Sequence, residues 1–475
     1  MSLIAERIER VWTDDIVPTL QRYITIPNVS PDFDDAWEAN GYMDEAVDLV
    51  VEWCRGRSIA GFSVDVQRLP GRTPLIICEI PASDPALAER TVVLYGHIDK
   101  QPEMTGWRPD GGPWTPILEG DRLYGRGGAD DGYAAFAALC AIETAQAEGL
   151  RHARCVVLIE ASEESGSPDL PAHVDALAGR LGRPELVICL DSGAMDDQRL
   201  WVTTSLRGLA GGKLTVDVLT EGVHSGSVSG VVPSSFRIIR QLLDRVEDSA
   251  TGEVLVPELS VPIPPDRAAE AAATAEELGG LPDGPLTGEF IFAGTTRAAV
   301  EDPTEQLLAR SWRPTISYVG ADGFPPTDRA GNVLRPSTTL ALSVRLPPTC
   351  DHVAAQDALR RTLTADPPYG ATVTFTDDHP APGWNAPSIA PWLRDALDEA
   401  STAAFGRPAR TFGEGGTIPF MGMLGERFPE AQFVITGVLV PGANAHGPNE
   451  FLHLPTARRV TECVARVLDA HAATP

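Results

Sequence analysis

The 475-residue chain has little lysine, no paired-cysteine motif and no long apolar run. Only Lys100 and Lys213 are lysines, and every other basic residue is arginine. Thirty-eight basic residues stand against 66 acidic ones, a formal charge of −28. A field of that sign repels nucleic acid and anionic membranes, so both are set aside as partners. The cysteines, Cys54, Cys78, Cys140, Cys155, Cys189, Cys350 and Cys463, are odd in number and form no Cys-x-x-Cys. Cys78, Cys155 and Cys189 lie inside apolar runs, as small buried hydrophobes in a reducing compartment would. No stretch reaches the roughly 18 apolar residues a membrane span needs. The N-terminal "MSLIAERIERVWTDDIVPTLQRYITI" is an amphipathic helix pattern, without the apolar centre and cleavage site of a signal peptide. The expectation is a soluble, cytoplasmic protein.

At 43% hydrophobic the chain can bury a sizeable core, and its length implies two or three domains. Apolar runs recur at "PLIICEI", "TVVLYGHI", "CVVLIEA" and "ELVICLD", with a helical pattern in "GYAAFAALCAIETAQAEG". Near-continuous apolar strands alternating with helices predict an α/β domain whose sheet is covered on both faces. The pattern changes after about residue 205. "GGKLTVDVL" and "STTLALSVRLPP" alternate as half-exposed strands, "SSFRIIRQLLDRVED" and "DHVAAQDALRRTLTA" read as helices, and 257–288 is rich in Pro and Ala. From about 380 the first pattern returns, in "QFVITGV" and the helix "TARRVTECVARVLDAHA". The expected architecture is a two-domain α/β protein: a catalytic domain from 1–205 and 349–475, with an α+β domain inserted at 206–348. The sequence shows no internal repeat.

Several apolar strands end in groups that bind metals. "LYGHIDKQP" places His97 and Asp99 two residues apart, "LYGRGGADDGY" supplies Asp130 and Asp131, and "EASEESGS" supplies Glu163 and Glu164. "ICLDSG" supplies Asp191, and "GANAHGPNE" supplies His446. In α/β sheets, sites form beyond the carboxyl ends of the strands. Each motif has a plainer reading. His97 could be a hydrogen-bonded structural histidine, Asp130 a helix N-cap, the glutamates a solvated loop, and Asp191 a turn residue. Five such coincidences in chain order are harder to accept than one site.

Together the motifs resemble the M20 metallopeptidase family, most closely its dipeptidase branch of cytosolic non-specific and carnosinase-like enzymes. The resemblance runs through nearly the whole chain: "GHIDKQP", "LYGRGGADDG", "EASEESGS", "SLRG", "GVHSG", "SVRLPP", "EGGTIP" and "GANAHGPNE" follow in family order. It implies two divalent ions, zinc or manganese. The first takes His97, Asp191 and bridging Asp130, and the second takes His446, Glu164 and the same Asp130. Imidazole plus carboxylate, without thiolate, suits those metals. Asp99 is then the partner that orients the His97 imidazole. Glu163 is the general base that takes a proton from the attacking water and returns it to the leaving amine.

The same resemblance makes the inserted domain a dimerisation or lid domain, and the protein a homodimer. His224 would polarise the scissile carbonyl in the partner subunit, against a plain reading as a surface turn residue. Arg345 would grip the substrate carboxylate, Gly415, Gly416 and Thr417 would cradle the substrate's C-terminal end, and His379 would be a further substrate-side group. Two departures stand out. Gly132-Tyr133 replaces the family's Lys-Gly, and Gly413 stands where dipeptidase relatives often carry arginine. The reading is a hydrolase of dipeptides or related small peptides. An aminoacylase, amidase or glutamate-type carboxypeptidase of the same family is the nearest alternative, and a non-catalytic binding protein on the same scaffold a remote one.

Overall fold

The computed structural model describes residues 2–279 and 292–474, so the last part of the Pro- and Ala-rich stretch lies outside the described residues. The chain divides into two compact units, and it passes between them more than once. The larger comprises residues 1–204, 386–412 and 423–475; the smaller comprises 205–385 and 413–422.

The larger unit is built on a sheet whose centre is parallel. Strand Thr91–His97 lies between Arg154–Glu160 and Pro184–Cys189, parallel to both, and Gln432–Ile435 runs parallel to Pro184–Cys189 on its far side. Leu75–Ile80 joins Arg154–Glu160 antiparallel, and Ser63–Gln67 pairs with Leu75–Ile80 at the edge. All seven residues of Thr91–His97 are buried, as an apolar run without alternation predicts for a strand covered on both faces. Helix Ala134–Ala147 is buried nearly all round, which explains why its sequence is apolar without a clear stripe. With helix Leu454–Ala473 it joins the same core as Leu94, Val157 and Ile188.

The smaller unit holds a four-stranded antiparallel sheet in the order Thr315–Asp322, Ser337–Leu346, Gly208–Asp217, Thr372–Asp377. One face buries Leu214, Val216, Leu342 and Val344 against Ile238, Ile239 and Leu242 of helix Ser235–Leu243 and Leu359 and Leu363 of helix His352–Thr364. The alternation in Ser337–Leu346 is the signature of such a one-sided sheet. This unit extends to Asn385, beyond the boundary expected at 348. Helix His352–Thr364 completes its core, and strand Thr372–Asp377 pairs with Gly208–Asp217 at its edge. No described helix is long and apolar enough to cross a membrane.

Leu94 sits at the middle of the central strand with no exposed surface. Leu94→Ala is expected to lower the stability of the larger unit by about 2–5 kcal/mol, the usual range for a truncation that leaves a cavity. Denaturant unfolding followed by circular dichroism measures it.

Candidate metal centre

Five side chains from five separate motifs converge in the larger unit. His97, Asp130 and Asp191 form one group, and Asp130, Glu164 and His446 a second, with the ligand atoms of each group within 4.8 Å of one another. The fold explains the convergence. His97 is the last residue of its strand, Glu163 and Glu164 follow strand Arg154–Glu160, and Asp191 follows Pro184–Cys189. Asp130 lies in the turn that leads into helix Ala134–Ala147, and His446 in the loop between Gln432–Ile435 and the short strand Phe451–His453. The parallel strands thus deliver their ends to one edge of the sheet.

The geometry bears on the plainer readings of these residues. Asp130 caps no helix, because Ala134–Ala147 begins after Tyr133. Its Oδ1 lies 3.3 Å from His97 Nε2 and its Oδ2 3.0 Å from His446 Nε2. Glu164 is not a solvated loop residue: its side chain is 3% exposed and lies 3.4 Å from His446 Nε2. Asp191 Oδ2 is 3.8 Å from His97 Nε2. That buried Nε2 has no hydrogen-bond partner of good geometry.

Asp99 lies two residues beyond His97, the last residue of its strand. Its main-chain oxygen is 3.1 Å from His97 Nδ1, and its carboxylate is 3.5 Å away. That carboxylate has a second task, accepting the N–H groups of Glu163 at 3.1 Å and Glu164 at 3.0 Å. One residue therefore orients the imidazole and holds the adjacent glutamates in their turn.

Crowding of like charge dominates the electrostatics. Burial, then Asp191 and Glu164, push the Glu163 carboxyl well above its ordinary range. Burial and Asp130 raise Glu164 to about 8, and burial with Asp130, against His97, raises Asp191 to about 6. Asp130 alone moves down: its bonds to His446 and His97 outweigh burial. His446 is raised to about 9, because Asp130 and Glu164 outweigh its partial burial. So many carboxylates with so few cations make a site that favours added positive charge.

The motifs contain supports that were not singled out from the sequence. Arg126 and Glu450 form a buried ion pair at 2.6 Å. Glu450 also accepts the N–H of Gly127 at 3.0 Å and lies 3.4 Å from those of Ala129 and Asp130, while Arg126 donates to the main-chain oxygen of His446 at 2.9 Å. His446 has φ of 62°, a strained conformation for a residue with a side chain, and Arg126 holds it there. Gln101 donates to Glu164 at 2.6 Å. The available signal was a charged residue set among glycines and turn formers in two of the quoted motifs.

Of the expected substrate-side residues, Arg345 and Thr417 meet in the smaller unit, with Nη1 3.0 Å from Oγ1. The Gly415 N–H is directed to Oε1 of Glu414 at 3.3 Å, and the Gly415 and Gly416 carbonyls bond Arg207. Arg310 lies 3.5 Å from Glu414. Arg207 and Arg310 were not picked out from the sequence. A side chain at Gly413 would strike Ser311 and Ser205, so the arginine of relatives has no room there. His224 and His379 are exposed; His224 lies on the short strand Val223–His224, paired with Val333–Leu334.

Two histidine–carboxylate groups that share one aspartate at the strand ends of a covered α/β sheet are an arrangement that could hold two metal ions. The sequence model of peptidase family M20/M25/M40 matches residues 93–470. The chain is 26% identical over 387 residues to a cysteinylglycine-S-conjugate dipeptidase of Corynebacterium striatum, covering 78% of this chain and 79% of the relative. It is 26% identical over 365 residues to the human Beta-Ala-His dipeptidase, covering 74% and 69%. The fold superposes on the di-peptidase Dug1p of Saccharomyces cerevisiae with a TM-score of 0.81 at 20% identity, covering 99% and 98% of the two chains. Human carnosine dipeptidase 1 gives 0.78 at 21%, covering both chains completely. The chain belongs to peptidase family M20/M25/M40.

Glu450→Leu leaves Arg126 buried without its counter-charge. A loss of about 3–5 kcal/mol is expected, and Arg126→Met in the same chain is expected to restore part of it. Equilibrium unfolding of the single and double variants provides the comparison.

Proposed function

We propose that the protein is a dinuclear metal-dependent dipeptidase, which hydrolyses the amide bond of dipeptides or related small peptides with Glu163 as general base. The observation that carries this reading is the sharing of Asp130 by two histidine–carboxylate groups. Family membership supports the reaction class, and relatives named as dipeptidases support the substrate class.

The residues fit divalent cations. The unpartnered Nε2 of His97 lies between carboxylates of Asp130 and Asp191, and the donor set of imidazole and carboxylate suits zinc, with manganese as the second choice. His97, Asp130 and Asp191 would hold one ion, and Asp130, Glu164 and His446 the other. When bound, such ions polarise a carbonyl and lower the pKa of water. The protein's own groups do the rest. Asp99 fixes the main chain of Glu163 and Glu164, so that Glu164 faces His446 while its neighbour remains to carry a proton. Glu163 takes that proton from the attacking water and delivers it to the departing amine. In the smaller unit, Arg345, braced by Thr417, binds the substrate carboxylate through its planar fork.

We also propose a homodimer with the smaller unit as its contact. Strand Thr315–Asp322 is one of the two edges of its sheet, and Tyr318 and Val319 on it are 47% and 67% exposed. An edge of that kind is a template for pairing with a second copy. The exposure of His224 leaves it available to the partner's site.

Metal-stripped protein reconstituted with zinc or manganese is expected to release free amino acid from dipeptides. Release only from N-acyl amino acids would move the reading to the acylase branch. Glu163→Gln is expected to keep two equivalents of metal by elemental analysis and to lose about 10²–10⁴-fold in turnover. Near wild-type turnover in that variant would remove Glu163 from its role.

A further inference from the structure

Lys100, one of two lysines in the chain, is completely buried one residue beyond Asp99. Its ammonium donates to the main-chain oxygens of Tyr23 at 2.8 Å and Ile26 at 2.7 Å and stands 3.9 Å from the centre of the Tyr23 ring. Those carbonyls lie at the C-terminal end of helix Val17–Ile24 and in the turn after it, where the helix dipole and the ring face both favour a cation. Among the described residues no carboxylate bonds the ammonium. A buried ammonium is expensive to keep, and burial pulls Lys100 well below the usual lysine range, only partly offset by Glu450.

The lysine stem lies against the turn that carries Asp130. A Cβ at Gly127 would fall 2.6 Å from Lys100 Cγ, so the glycine is what lets the stem pass. The Gly127 N–H bonds Glu450 and its carbonyl accepts the N–H of Gly132, each at 3.0 Å. Gly132, where the resembling family has lysine, has no space for any side chain: a Cβ there would lie 2.2 Å from the Tyr23 ring and 2.6 Å from the Gly127 carbonyl oxygen. The Tyr23 hydroxyl donates to the oxygen of Ile98 at 2.5 Å. Tyr23, Lys100 and the 127–132 turn are thus packed as one block, and this block's positive charge comes from the strand end rather than from the turn.

We propose that Lys100 is a positioning residue of the metal centre: it ties the end of helix Val17–Ile24 beneath the 127–132 turn and so fixes where Asp130 presents its carboxylate. The inference rests on the reading of Asp130 as a metal ligand. Charge and position make opposite demands here. Lys100 is a cation close to a site for cations, so if only its charge mattered, removing it would tighten metal binding. If it positions the turn, removing it weakens metal binding, as loss of groups that orient ligands does.

The test is Lys100→Met in the full chain, which keeps the stem and removes the charge and its donors. Zinc affinity is measured by competition with a chromophoric chelator, at a temperature where thermal melting shows the variant folded. About 10–100-fold weaker zinc binding is expected. The control Val464→Ala, in the core of helix Leu454–Ala473, is expected to lose stability and keep zinc affinity, which separates positioning from general loosening. If the methionine variant does not fold, Lys100→Gln, which keeps a donor, is read in the same way. Unchanged or tighter zinc binding in a folded variant overturns the inference. Failure of the wild-type chain to bind zinc or manganese overturns the metal-centre reading, and this inference with it.

Discussion

Two imidazoles meet one carboxylate at Asp130, and the rest of the centre depends on that contact. Each oxygen faces a different histidine, His97 at 3.3 Å and His446 at 3.0 Å. The histidines come from chain segments more than three hundred residues apart, so the contact forms only when the sheet is complete. Its surroundings hold the carboxylate still. Glu450 gathers main-chain N–H groups of the turn, Arg126 binds both Glu450 and the loop of His446, and Asp99 carries the turn of Glu163 and Glu164. The concentration of buried carboxylates opposes folding unless cations offset it. Metal binding and stability are coupled for that reason.

Much of this was legible in the sequence because the parallel strands of a covered sheet are apolar throughout and end abruptly in polar residues. His97, Asp191 and the pair Glu163-Glu164 are such ends, and their grouping follows from the rule that α/β sites lie beyond strand termini. The supports were harder to read. Arg126 and Glu450 lie 324 residues apart in sequence, and only the fold shows that they pair. Asp99 reads as a partner for His97, but its bonds to the main chain of Glu163 and Glu164 carry no sequence signal, since any residue has an N–H.

The boundary set at 348 differs from the observed one for a related reason, although the return of the first pattern from about 380 lies close to Ala386. Helix His352–Thr364 has an apolar stripe that could face either sheet, and periodicity does not say which one covers it. The glycines at 132 and 413 read as missing cations. The structure shows that neither position admits a side chain, and that Lys100 and Arg310 bring positive charge close by from other elements. In the smaller unit the glycine-rich loop is legible as a motif, but its carbonyls bond Arg207, which underpins the neighbouring Arg345 and Thr417.

The sharing of Asp130 is tested most directly by calorimetric titration of metal-stripped Asp130→Asn with zinc, beside the wild-type chain. A shared ligand means that the wild type takes up two equivalents and the variant loses tight binding of both. Retention of one equivalent at wild-type affinity would show that the two groups bind independently, and would contradict the two-ion centre described above.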